Sequence, residues 1–128
     1  MRPVKQDRLY SDEGIGNGNC LAACYASLLD MPLWMVPPFD QMFGRGDWDH
    51  RIDEWLERLG YERFWLEGHQ TDKLPEFYIA SGKSARGVRH AVIYRNGELA
   101  HDPHFSGSGI ESVLNTYHLV KISQSEHA

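Results

Sequence analysis

The fold depends on a stretch at residues 90–103, which reads His-Ala-Val-Ile-Tyr-Arg-Asn-Gly-Glu-Leu-Ala-His-Asp-Pro. Its middle dipeptide, Asn96-Gly97, is the pair best suited to a two-residue turn with positive φ at both positions. An apolar run with β-branched residues precedes this turn, and a shorter run follows it. The pattern predicts a β-hairpin with strands over residues 88–95 and 98–102.

The register of this hairpin decides whether two of its polar side chains meet. With a strict two-residue turn, Asp102 pairs with Ala91, and its side chain points to the opposite face from His90. A β-bulge near Ala100, or a longer loop, would bring the carboxylate back to the histidine. Without either, His101 or the backbone would have to orient His90.

A helix is predicted upstream, over residues 20–30, which read Cys-Leu-Ala-Ala-Cys-Tyr-Ala-Ser-Leu-Leu-Asp. Residues 14–19 before it are so rich in Gly and Asn that they favour a tight loop. Asn19, the last of them, is a suitable N-cap. The apolar stripe expected to face the core consists of Leu21, Tyr25 and Leu28.

A second, amphipathic helix is predicted over residues 47–59, with Gly60 as its C-terminal stop. Its apolar side chains recur at helical spacing and are expected to be core: Trp48, Ile52, Trp55, Leu56 and Leu59. An irregular connection over residues 32–46 separates the two helices, because prolines and glycines interrupt it.

Further strands are expected over residues 61–67, 76–80 and 117–122, where aromatic and β-branched residues are bounded by turn residues. The predicted fold class is therefore α+β. The helix that begins at Cys20 packs on an antiparallel sheet formed after residue 60, and the second helix covers another part of the sheet.

Composition limits the classes of protein that this chain can belong to. Apolar residues make up 41% and aromatic residues 12% of 128 residues, which favours one packed domain over residues 1–128. The net charge of -5 gives no general attraction to nucleic acid or to a membrane surface, so neither is an expected partner. No apolar run suits a signal peptide or a membrane span, and a cytoplasmic location is expected.

Cys20 and Cys24 are the only cysteines, and they are four residues apart on the predicted helix. Such neighbours rarely meet disulfide geometry, so free thiols are expected. At the first turn of a helix, the dipole and the unpaired backbone N–H groups favour a thiolate, which makes Cys20 a candidate nucleophile. Cys24 is expected to pack against the sheet, and an inert buried thiol is the structural alternative for Cys20.

His90 and Asp102 complete a candidate catalytic group with Cys20. The histidine would take the thiol proton, and the carboxylate would fix the tautomer and orientation of the ring. A buried histidine that only satisfies the core is the alternative. Zinc is a weaker alternative and no cofactor is expected, because the spacing does not match structural zinc patterns. The residues that could bind it are Cys20, Cys24, His90, His101 and His104.

Residues 18–29, with His90 and Asp102-Pro103, resemble the papain-like cysteine peptidase superfamily. Within it, they are most similar to the peptidase domains of bacteriocin-exporting transporters and their stand-alone relatives. There, a helix-borne Cys, a strand-start His and an Asp-Pro after the next strand form the active site. The resemblance implies a papain-like fold, with Cys20 as nucleophile, His90 as base and Asp102 as the orienting acid.

The loop before Cys20 departs from that family, whose oxyanion-hole glutamine lies several residues upstream, near the place of Gly14. Gln6 is expected to be too far away. The oxyanion hole would then use the backbone N–H of Cys20 with the side chain of Asn17, or alternatively Asn19.

Asn17-Gly18-Asn19-Cys20-Leu21 is also similar to the Asp-Gly-Asn-Cys-Leu segment of ovarian-tumour-type deubiquitinases, with Asn17 in place of the aspartate. Both resemblances imply a thiol hydrolase that cleaves an amide or isopeptide bond in a peptide or protein substrate through a thioester. The compact chain also resembles small papain-like proteins of bacteriophages and their bacterial hosts. The competing hypothesis is a non-catalytic protein of the same fold that grips a host protein.

Overall fold

A computed structural model describes residues 1–8, 19–42 and 47–122 of the chain. Within these residues, three α-helices precede a five-stranded antiparallel sheet. The helices are α1 (Cys20–Leu28), α2 (Phe39–Met42) and α3 (Trp48–Arg58). The strands are β1 (Tyr61–Glu67), β2 (Phe77–Lys83), β3 (Arg89–Arg95), β4 (Glu98–His101) and β5 (Ser112–Lys121). The fold is α+β, as predicted.

The strands lie in the order β1-β5-β2-β3-β4, and short 3₁₀ turns occur at Leu33–Met35 and Thr71–Lys73. The predicted β1 and α3 are confirmed, whereas β2 and β5 are longer than the sequence indicated. β2 pairs with β5 on one side and with β3 on the other, so both ladders hold residues of low strand propensity such as Ser81 and Gly82. None of the described helices is long and apolar enough to cross a bilayer.

The predicted hairpin is confirmed, and so is the bulge. Asn96 and Gly97 have φ of 50° and 88°, as a two-residue turn with positive φ at both positions requires. Tyr94 pairs with Leu99, but Ile93 pairs with His101, so Ala100 is the extra residue in β4. Because side chains alternate along a strand, this insertion reverses the face of every residue that follows it.

The main core lies between the helices and one face of the sheet. Fully or nearly fully buried members of it are Cys24, Tyr25, Ala26, Val36, Phe39, Ile52, Leu56, Ile79, Ala91 and Ile93. A smaller cluster of Tyr78, Ala80 and Val92 lies on the opposite face. The predicted stripe of α1 is wrong in part, because Leu21 and Leu28 are only half-buried. The helix instead buries mainly small residues, from Ala23 to Ser27, and these allow it to approach β3 closely.

One arginine links both long helices to the edge of the sheet. Arg63 of β1 donates from Nη1 to the Tyr25 hydroxyl at 2.9 Å, and its Nε lies 2.9 Å from Oδ1 of Asp53. Its Nη2 lies 3.2 Å from Oδ1 of Asp49. The Tyr25 side chain is buried, so this bond satisfies a hydroxyl that would otherwise lose its hydration without replacement. The contact fixes α1 and α3 against the sheet that carries the candidate site.

Candidate active site

Cys20 is the first residue of α1, and its thiol lies at the start of β3. The backbone N–H of Ala91 donates a hydrogen bond to the sulfur, and the negative charge of Asp102 is close enough to affect its ionisation. Ala91 is small and buried, which allows the helix to rest on the strand at this point. Cys20 therefore lies beside the residue that follows His90.

The ionisation of Cys20 differs from the sequence-based expectation. Burial raises the pKa of the Cys20 thiol, the backbone N–H groups of Ala91 and Leu21 lower it, and the charge of Asp102 raises it again. The net direction is upward, so the helix start alone does not give an acidified thiol. A thiolate at this place therefore depends on a cationic partner, and an imidazolium at His90 is the proposed one.

Cys24 lies one turn further along α1 and is completely buried. Burial raises the pKa of its thiol well above the ordinary value. Its predicted role as a small packing residue against the sheet is confirmed by its place in the main core.

His90 and Asp102 are brought together directly. The distance from Nε2 of His90 to Oδ1 of Asp102 is 2.5 Å, and both side chains are almost completely buried. The bulge at Ala100 produces this contact, since it returns Asp102 to the face of His90. The sequence predicts that a β-bulge near Ala100 would bring Asp102 to the face of His90, and the structure confirms this bulge.

Two backbone amides also hold the carboxylate. Oδ1 of Asp102 accepts from the N–H of His104 at 2.9 Å, and Oδ2 accepts from the N–H of Gly109 at 2.7 Å. Burial alone would raise the pKa of Asp102, but the hydrogen bonds from His90, His104 and Gly109 outweigh it and hold the pKa below its ordinary value. Gly109 has a φ of 72°, a conformation that suits glycine, which allows the loop to turn its N–H towards the carboxylate.

The charge on Asp102 determines the tautomer of His90. An ionised carboxylate is only an acceptor, so the proton of a neutral imidazole must lie on Nε2. Nδ1 is then left with its lone pair free to accept a proton. It is consequently the ring nitrogen that would act as base towards the thiol.

The first residues of the chain hold the loop that carries Asp102. Nζ of Lys5 donates to the carbonyl oxygens of Asp102 at 2.9 Å and His104 at 3.2 Å. The backbone N–H of Gln6 donates to the carbonyl of Pro103 at 3.1 Å. Nε2 of His101 is 2.7 Å from the carbonyl oxygen of Val4. This arm, residues 1–8, is thus part of the wall of the site, which the sequence did not predict.

The predicted oxyanion residue Asn17 lies outside the described residues. Asn19, the alternative, does not cap α1 with its side chain. Its Oδ1 accepts from the N–H groups of Asp7 and Arg8, and its Nδ2 donates to Oδ1 of Asp7 at 2.7 Å. The amide of Asn19 is therefore used to fasten the arm next to Cys20.

Gln6 is closer to the site than its separation from Cys20 in the sequence suggested. It lies between Pro103, through its backbone N–H, and Arg8, to whose carbonyl its Nε2 donates at 3.0 Å. Asn19, the residue before Cys20, accepts from the backbone N–H of Arg8, so this part of the arm lies next to the start of α1. Whether its side-chain amide reaches the thiol of Cys20 stays a prediction.

A small cleft opens beside the first turn of α1. It is mostly apolar and is lined by Asn19, Leu21, Ala22, Tyr25, Pro37, Phe39, Trp48 and Ile52. Asn19 places one end of the cleft next to Cys20. An apolar side chain could enter it while its own main chain lies near the thiol.

The residues considered for zinc are used in other contacts. Nε2 of His101 bonds the Val4 carbonyl, and Nδ1 of His104 is 2.8 Å from Oγ of Ser106. Across residues 1–8, 19–42 and 47–122, no three His, Cys, Asp or Glu side chains are grouped so that they could hold a metal ion.

Substituting Asp102 with asparagine is expected to lower the free energy of unfolding by about 2 kcal/mol at pH 7, because an amide nitrogen would face one of three N–H donors. The carboxyl pKa is lowered by folding, so its stabilisation is present above its ordinary value of 3.8 and is lost as the pH falls further. The difference between wild type and D102N in urea denaturation should therefore narrow below about pH 4. Asp72→Asn, at an exposed carboxyl, is the control and should show no such difference.

Comparison of the chain with protein-family models, with curated proteins and with solved structures finds no match. Function must therefore be argued from the site itself.

Proposed function

We propose that the chain is a papain-like thiol hydrolase that cleaves amide or isopeptide bonds in a peptide or protein. The observation that carries the proposal is the buried bond between His90 and Asp102 beside a thiol at a helix start. A histidine that merely satisfies the core does not need a charged carboxylate fixed by two backbone amides. Such an arrangement is costly to bury and is typical of sites where an imidazole changes protonation state.

The reaction would proceed in two halves. Nδ1 of His90 accepts the thiol proton, and Sγ of Cys20 attacks the carbonyl carbon to form a tetrahedral intermediate. The C–N bond then breaks, and the imidazolium returns its proton to the leaving amine, which leaves a thioester on Cys20. A water molecule loses its proton to Nδ1 and attacks the thioester carbonyl, and release of the acid regenerates the thiol. Asp102 stabilises the imidazolium in both halves.

The oxyanion would be stabilised by the backbone N–H of Cys20, with a side-chain amide as second donor. Asn17 is one proposed donor. Gln6 is the other, because its backbone N–H bonds Pro103 and its side-chain amide bonds Arg8 on the wall of the site. The apolar cleft lined by Leu21, Phe39 and Trp48 would take a substrate side chain next to the bond that is cleaved.

Thiol reactivity tests the proposal. At pH 7, Cys20 is expected to react with iodoacetamide at least about 100 times faster than Cys24, since its thiolate is stabilised by an adjacent imidazolium whereas Cys24 is fully buried. Mass spectrometry of the intact protein and of its peptides identifies the modified residue and the rate. Cys20→Ala serves as the control and should lose the fast phase. Equal slow rates at the two cysteines would contradict the proposal and favour a non-catalytic binding protein.

A further inference from the structure

A polar cluster lies across three strands of the sheet, and the proposed reaction does not use it. Arg89, the residue before His90, donates from Nε to Oγ of Ser81 at 2.9 Å. Its Nη2 donates to Oδ1 of Asn115. Ser81 and Asn115 are buried, whereas Arg89 is exposed. We refer to Arg89, Ser81 and Asn115 as the arginine cluster.

The register places the arginine cluster beside the candidate nucleophile. Ser81 of β2 pairs with Ala91 of β3 on one side and with Asn115 of β5 on the other. With strands about 4.8 Å apart, Ser81 is one spacing and Asn115 two spacings from Ala91. Ala91 is the residue whose N–H acts on the thiol of Cys20. By side-chain alternation, Ser81 and Ala91 share the face of the sheet that α1 covers.

Two donors of the cluster, Nη1 of Arg89 and Nδ2 of Asn115, have no acceptor among the described residues. Among the described residues, no carboxylate lies within ion-pair distance of Arg89, and its Nη1 makes no hydrogen bond. Asn115 is 4% exposed, and in the same part of the chain its buried Nδ2 has no partner. A buried N–H without an acceptor is destabilising. Here it belongs to the side-chain amide of Asn115, whose oxygen accepts from Arg89.

We infer that Arg89 and Asn115 bind a carboxylate of the substrate, next to the bond that Cys20 attacks. One carboxylate oxygen would accept from the guanidinium and the other from Nδ2 of Asn115, so that both unpaired donors are satisfied together. This inference rests on the proposed hydrolase function, because it assigns the carboxylate to the substrate of Cys20. The carboxylate belongs either to an acidic side chain or to the end of a peptide.

Three reagents of nearly equal shape test the inference. They are N-bromoacetyl-glutamic acid α-amide, N-bromoacetyl-glutamine and N-bromoacetyl-glutamine amide. The first carries a side-chain carboxylate, the second a terminal carboxylate, and the third is neutral. One of the two acidic reagents is expected to alkylate Cys20 about tenfold faster than the neutral reagent. The faster of the two identifies which source of carboxylate the site accepts.

Two variants remove the site in different ways. Arg89→Met removes the cation, and Asn115→Asp supplies a permanent carboxylate beside Arg89 while it keeps the shape of the side chain. Both are expected to abolish the preference for the acidic reagent and to leave the rate with the neutral reagent unchanged within about threefold. Arg95→Met is the control, since Arg95 lies at the other end of β3 and pairs with Glu76. It should keep the preference.

The neutral reagent separates the two possible failures. If Cys20 reacts with it as slowly as Cys24 does, the proposed hydrolase function fails. If Cys20 reacts fast but equally with all three reagents, the hydrolase proposal stands and the carboxylate site is overturned. The site is also overturned if the preference survives in both Arg89→Met and Asn115→Asp.

Discussion

Replacing His90 with alanine is expected to slow the alkylation of Cys20 by iodoacetamide about 100-fold at pH 7. Burial raises the pKa of the thiol, so without the imidazolium little thiolate forms. The same substitution leaves Asp102 ionised in a buried place, where its charge also opposes a second anion at the sulfur. The rate should recover only as the pH rises above the range in which a free thiol ionises, which a pH profile from 6 to 10 would measure.

His50→Ala is the matched control for this prediction. His50 lies on the exposed side of α3, where its Nε2 is 2.7 Å from Glu54 Oε1. The His50→Ala substitution should leave the alkylation rate of Cys20 unchanged. If His90→Ala also leaves that rate unchanged while the thermal midpoint shows a folded protein, the imidazole does not activate the thiol. The Cys–His proposal would then be wrong.

Replacing Gly82 with alanine is expected to destabilise the fold by about 3 kcal/mol or more. A Cβ at this position would lie 1.9 Å from the carbonyl oxygen of Ser112, which is backbone and cannot move aside freely. Gly82 is in β2 at the place where the register with β5 shifts, so the strain would fall on the centre of the sheet. Urea denaturation followed by circular dichroism measures the loss.

Gly87→Ala is the control for the destabilisation expected of Gly82→Ala. Nothing lies within 4 Å of a Cβ at Gly87, and only its φ of 84° disfavours an L residue. Its cost should be about 1–2 kcal/mol. If the two substitutions cost the same, backbone conformation rather than the close approach to Ser112 determines the role of Gly82.

The hairpin shows how far local signals in the sequence can determine a site. Asn96-Gly97 fixes the turn, and the alternation of side chains along its strands specified that Asp102 needed an extra residue to meet His90. The structure supplies that residue at Ala100. Both steps depend on contacts between residues that are close in the chain, where turn chemistry and side-chain period act directly.

The remaining parts of the site depend on contacts between distant residues, and these have no local signal. Nothing in the sequence around Lys5 or Gln6 indicates that they reach the loop after β4. The link between Arg89 and Asn115 requires the strand order β5-β2-β3, which hydrophobic patterns do not specify. Burial of Cys20 likewise depends on how closely α1 packs on Ala91, so the direction of its pKa shift could not be predicted from helix position alone.

The docking of the arm bears on the order in which the molecule would assemble. The hairpin that carries His90 joins neighbours in the chain, and such closures take microseconds. Lys5 and Val4, by contrast, contact residues 97 or more positions away. Contacts between residues so far apart in the chain have a larger entropic cost of chain closure and form late. Docking of the arm would then trail formation of the sheet, and a newly folded chain would pass through a stage with its strands in place and the loop that carries Asp102 still loose.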